Sequence, residues 1–145
     1  MKILDELKLR VRAAGGLGGV ADYFHVLLME GALKTVVEMV QNRPGLLAEL
    51  LPIVANPEAS MNVRFGASAA FEHFAGTPAL RALVVPLGEL AAHADARVRA
   101  DACHYLGLSG SVDARKYLEP GLADESAEVR EIAADSLGEI AGPGT

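Results

Sequence analysis

The apolar positions of this chain fall into three stretches that share one spacing. Val63, Val98 and Val129 each open a run in which Ala67, Ala102 and Ala133 follow four residues later, then Phe71, Leu106 and Leu137 at eight. In the outer two runs Phe74 and Ile140 stand at eleven. Offsets of four, eight and eleven lie on one face of an α-helix, so each run predicts a helix with an apolar stripe turned toward a core. Ser60, Asp95 and Ser126 each stand three residues before one of these valines. Such residues accept from an unpaired N–H of the first helical turn, so the three helices are expected to start in register. Gly76 and Gly142 close the outer two runs. Glycine suits the left-handed residue just past a helix end.

A second apolar pattern precedes each run. Pro52, Pro86 and Pro120 recur there at a constant interval, and Pro44 and Pro78 open the first two of these segments. Proline fits the first helical turn, where its missing N–H has no partner, but bends a helix in its interior. Each unit therefore reads as a kinked first helix, a short turn, a capped second helix and a closing glycine. Two helices per unit, at a period in the thirties, mark an α-solenoid. The expected fold is all-α, a right-handed superhelix of antiparallel helix pairs forming one domain over 1–145, with repeats at 44–76, 77–110 and 111–142. Residues 1–43 lack the valine–arginine signature and are expected to form an N-terminal helical cap or degenerate repeat, since a terminal unit must cover an open core end. They divide into a helix at 2–14, a break at GGLGG (15–19) and helical residues 20–42, as one kinked helix or as two parted near Gly31. Phe24, Leu27, Leu28, Val36 and Met39 supply the inward face of the later stretch.

With those units in hand, the repeated phrase resembles a known family. Across 112–142, Asp124, Val129, Arg130, Ala133, Leu137 and Gly138 stand together in the manner of a HEAT repeat, most similar to the short bacterial type found in bilin-lyase-like proteins. The resemblance covers 44–142 and thins at 44–76, where NPEASMN lengthens the turn, and at 96–110. It implies that the second helices line a concave surface. It also implies that Arg64, Arg99 and Arg130, each just after its valine, pair with acidic residues of the turns, for which Asp95 and Asp124 are available. A HEAT-like iron hydroxylase carries His-Glu pairs early in its second helices. Phe65-Gly66, Ala100-Asp101 and Glu131-Ile132 stand at those places here, so that activity is not carried over.

Composition narrows the function classes. Hydrophobic residues make up 51% of the 145, aromatic residues 5%, and there is no tryptophan; mean hydropathy is +0.26. A core of Ala, Leu and Val, in helices packed closely together, follows. Thirteen Lys and Arg against 19 Asp and Glu leave a charge of −6. That balance disfavours a nucleic-acid partner, which requires clustered cations. The charge divides unevenly, +1 over residues 1–43 and −7 over 44–145. Lys2, Lys8, Arg10 and Arg12 lie beside Ile3, Leu4, Leu7 and Val11 in an amphipathic segment. With Asp5 and Glu6 it is a weak membrane anchor, and docking on its own solenoid or on a second copy is the stronger expectation. Open solenoid ends make a homo-oligomer possible. The first residues lack a signal-peptide apolar core and no stretch approaches the ~20 apolar residues of a membrane span, so the expected location is the cytoplasm.

Candidate chemistry is sparse. GGLGG follows helical sequence rather than a strand and lacks the context of a nucleotide loop. His25, His73, His93 and His104 show no zinc-ligand spacing, so no metal or cofactor is expected. Cys103 is the single cysteine, and its neighbour His104 points to another helix face. Beside the core stripes, the second helices carry Phe65, Ala69 and His73, then Asp101, His104 and Tyr105, then Glu131, Asp135 and Glu139. We read His73, Asp101, His104, Tyr105, Glu131, Asp135 and Glu139 as a partner-binding concave face. His104, Asp101, Asp135 and Glu139 would form an acidic groove for a partner with a basic surface. The same face is equally readable as solvated helix surface. The expected function is a non-catalytic scaffold or adaptor holding another protein. The alternative implied by the resemblance is an accessory subunit or enzyme acting on a cofactor or prosthetic group, with Asp101, Cys103, His104 and Tyr105 as its reactive cluster.

Overall fold

A computed structural model describes residues 19–140, which are helical with no strand. The expected helix at 2–14, residues 15–18 of the GGLGG break and the closing Gly142 lie outside the described residues. In chain order the α-helices are α1 (Val20–Met29), α2 (Leu33–Asn42), α3 (Leu51–Val54), α4 (Met61–His73), α5 (Pro78–Arg81), α6 (Val84–Leu90), α7 (Ala96–Ser109), α8 (Arg115–Leu118) and α9 (Ala127–Glu139). Turns of 3-10 helix at Pro44–Leu50, Val112–Ala114 and Glu119–Ala123 extend α3 and α8 into longer first segments. Residues 20–42 form two helices rather than one bent helix. Gly31, at φ +77, turns the chain between them, a conformation that costs glycine little because it has no Cβ.

The capping residues act as their spacing predicts. Ser60 Oγ accepts from the Val63 N–H at 3.4 Å and Ser126 Oγ from the Val129 N–H at 3.4 Å. Asp95 Oδ1 accepts two N–H groups, of Arg97 at 2.9 Å and Val98 at 3.1 Å. Each cap satisfies donors that the helix itself leaves orphaned. At the far ends, Gly76 and Gly110 adopt φ of +73 and +67. The first segments depart further from a smooth helix than a kink. Each breaks into short pieces just ahead of Pro52, Pro86 or Pro120, α and 3-10 in the first and third and two α pieces parted by a turn in the second. A proline ring collides with the carbonyl four residues back and supplies no N–H, so the ladder fails upstream of it.

The valines anchor the interior. Val63, Val98, Val129, Ala67, Ala102, Ala133, Phe71 and Leu106 are all buried, as one inward stripe per helix requires. Leu137 packs against the core but is only half-buried. Ser136, 2% exposed, takes the inward place in α9. The reason is a close crossing with α7, where a Cβ on Gly107 would lie 2.6 Å from the Ser136 Cβ. A leucine has no room there. The core is continuous from Tyr23 on α1 to Ile140 beyond α9.

Candidate interaction surface

Adjacent second helices are tied by polar side chains that face one another across the gap. Between α2 and α4, Gln41 Nε2 lies 3.2 Å from His73 Nε2. Between α4 and α7, Arg64 Nη2 reaches the two Asp101 carboxylate oxygens at 3.2 and 3.4 Å. His104 Nε2 stands 3.6 Å from Glu72 Oε1, and Ser68 Oγ donates to the same oxygen at 3.5 Å. Asp101 and His104 are thus brought into one patch with Arg64 and Glu72, partners that helical spacing within a single unit does not reveal. Both pairs are partly exposed and therefore hold the helices only weakly.

Tyr105 does not belong to that surface. Its side chain is 3% exposed and stacks on Phe71 with ring centroids 4.3 Å apart. Burial pushes its phenol upward, with the Asp101 charge acting in the same direction. Periodicity places Tyr105 beside the core stripe, but the stacking partner draws it inside. Cys103 is buried as well, and burial pushes its thiol up to about 11. It is a neutral space-filling group near pH 7, because reactive thiols need exposure and a lowered pKa.

The expected arginine ladder has one full rung. Arg99 forms a bidentate pair with Asp124, Nε to Oδ2 and Nη2 to Oδ1 both at 2.9 Å. Its Nη1 donates to the His93 and Ala94 carbonyls at 3.0 and 2.9 Å. One guanidinium therefore closes its own turn and grips the next. Arg99 and the Ser126 N–H hold the Asp124 carboxyl below its usual range. The other rungs differ from expectation. Arg64 pairs with Asp101 on a helix, not with a turn residue. Arg130 donates to the Asp124 backbone carbonyl at 2.7 Å. Asp95 is occupied by its cap.

The remaining site residues lie on α9. Glu131, Asp135 and Glu139 are exposed and stand at intervals of four, so they share one helix face. They form an exposed carboxylate row on the last described helix. Of the residues expected to form the groove, Asp101 and His104 face Arg64 and Glu72, and Asp135 and Glu139 are exposed. Among the described residues, no group of three or more His, Cys, Asp or Glu is placed to hold a metal ion, and no helix is long and apolar enough to cross a membrane.

Two of the three capped helices, with Val98 and Val129, and the Arg99–Asp124 clasp lie in the second half of the chain. Residues 84–145 match the family described as HEAT repeats. The match runs from α6 through α9 and contains both the clasp and the Gly107–Ser136 crossing. An all-helical arrangement with a HEAT match is consistent with an α-solenoid. HEAT repeats generally serve as protein-interaction scaffolds. No curated protein matches the chain.

Proposed function

We propose that this chain is a non-catalytic HEAT-like scaffold that holds another protein, with the carboxylate row of α9 meeting a basic segment of that partner. The observation that carries this reading is the exposed line of Glu131, Asp135 and Glu139, set against the paired state of Asp101 and His104. In this reading the units wind as a right-handed superhelix, the second helices form the concave side, and residues 1–43 cap the N-terminal end. Stacked helix pairs suit the task because they present an extended rigid surface. Exposed charge in turn sets partner choice and association rate more than raw affinity. A cofactor-handling role is disfavoured because it would draw on Cys103 and Tyr105, which the fold buries.

The test is affinity capture with the wild-type chain and with an Asp135→Lys/Glu139→Lys variant, repeated at low and high salt. The partner held by the wild type is expected to be retained at least about tenfold less by the variant, and its wild-type retention to fall with salt. Equal capture by both proteins at every salt concentration would overturn the assignment of this face.

A further inference from the structure

At the N-terminal end of the described residues, the last turn of α1, the Gly31 reversal and the first half of α4 line an open groove of about 430 Å³. Leu28, Met29, Leu33 and Phe65 form its apolar lining. Met29 and Phe65 are 56% and 64% exposed. Met61 stands four residues before Phe65 on α4 and is 63% exposed, so the two share one helix face. The remaining methionine of the described residues, Met39 on α2, is half-buried and packs against the core. Two thioethers at this end are thus open to solvent, and the third is shielded.

We propose that Met29 and Met61 form a paired modification site, at which hydroperoxides convert this face from apolar to polar while the fold is kept. A thioether has no titratable proton, so access decides which methionine is attacked. The sulfur attacks one peroxide oxygen, the S–O bond forms as the O–O bond breaks, and the second oxygen leaves as water. Sulfur is oxidised by two electrons and the peroxide is reduced by the same two. The sulfoxide is polar and chiral where the thioether was flexible and apolar. Met29 and Met61 are two of the six large apolar side chains that stand exposed among the described residues, so oxidising both lowers the apolar surface measurably. The interior is spared. No methionine is among its buried side chains, where a sulfoxide would disrupt packing. Cys103 is buried with its thiol pushed up to about 11, so it does not compete for the oxidant. None of these residues belongs to the carboxylate row of α9, so the site stands or falls separately from the scaffold role.

The test treats the full chain with dilute hydrogen peroxide and follows each sulfoxide by peptide mass spectrometry. Met29 and Met61 are expected to oxidise at least about fivefold faster than Met39. The oxidised chain should elute earlier from a phenyl column, with its urea midpoint unchanged. Methionine sulfoxide reductases for both sulfoxide epimers should restore the original elution. A Met29→Leu/Met61→Leu variant, which keeps Met1 and Met39, should show no shift after the same treatment. The proposal is overturned if Met39 oxidises as fast as the other two, if oxidation leaves the elution unchanged, or if the variant shifts as far as the wild type. A fall in the urea midpoint would overturn it too, because it would put the modified sulfurs in the packed interior.

Discussion

The two halves of this stack of helices are closed by different means. In the C-terminal half, α7 and α9 approach until only a glycine and a serine fit between them, and the Arg99–Asp124 clasp fastens α7 to the turn ahead of α9. In the N-terminal half, α1 also meets α4 at a glycine. There Gly66 faces the flexible side chain of Leu28, and the joint leaves a groove beside Met29 and Phe65. Both halves use the same capped, valine-anchored helix. The difference lies at the few positions where one unit touches another. A repeated phrase thus governs where each helix begins and which face turns inward. How tightly neighbours close is set by residues that the phrase does not repeat.

The largest effect expected from disturbing this contrast is at Gly107. A Cβ there would stand 2.6 Å from the Ser136 Cβ and 2.9 Å from its backbone Cα, and backbone cannot rotate aside. Gly107→Ala is expected to cost about 1–3 kcal/mol in urea unfolding. The same change at Gly66 would meet the Leu28 Cδ2 at 2.8 Å. That methyl can turn away, the Leu28 Cβ and Cγ at 3.3 Å need give only slightly, and alanine's better helix propensity offsets about 1 kcal/mol, so Gly66→Ala should cost clearly less than Gly107→Ala. Comparable losses at both glycines would erase the distinction between the halves.

Acid should weaken the clasp. Asp124 titrates below its ordinary value in the folded chain, chiefly through Arg99 and then the Ser126 N–H. Its contribution is therefore fully present above the unfolded carboxyl pKa of about 3.9 and is lost as pH falls below that through the lowered folded value. Asp124→Asn should be less stable than the wild type near pH 7. The gap should narrow steadily below about pH 4 in denaturant titrations. A gap of constant size down to the most acidic point would mean that the pair contributes nothing that depends on ionisation. The smallest effect is at Gly138, an exposed position of α9 where an added Cβ would meet nothing within 4 Å. Gly138→Ala should raise stability by about 0.5 kcal/mol.

Local features of this fold are the most legible in the sequence. Ser60, Asp95 and Ser126 cap their helices because a cap depends only on residues within one turn. The proline breaks are harder to read. A recurring proline signals that the ladder is interrupted, but whether the pieces become α or 3-10 turns depends on what packs against them. The arginine ladder shows the boundary most clearly. Asp95 and Asp124 look alike as turn acids, yet Asp95 stands at the cap itself, while Ser126 fills that role in the next unit and leaves Asp124 for Arg99. Their differing distances from the valine already encode this, although only the folded turns show the consequence. Single-helix periodicity puts Tyr105 on the surface because it cannot see Phe71 across the gap. It misses Arg64 and Glu72, the partners of Asp101 and His104, for the same reason.

The central claim is that Val63, Val98 and Val129 occupy one equivalent position in three stacked units. Val→Thr substitution at each site tests it most directly, because threonine keeps the branched shape and adds a hydroxyl that a dry core must leave unpaired. In urea unfolding, all three variants are expected to lose similar stability, about 1–3 kcal/mol each. Val85→Thr and Val112→Thr, at positions 58% and 57% exposed, should stay within about 0.5 kcal/mol of the wild type. If any one of the three core variants matched the exposed pair, the equivalence of the units would be contradicted.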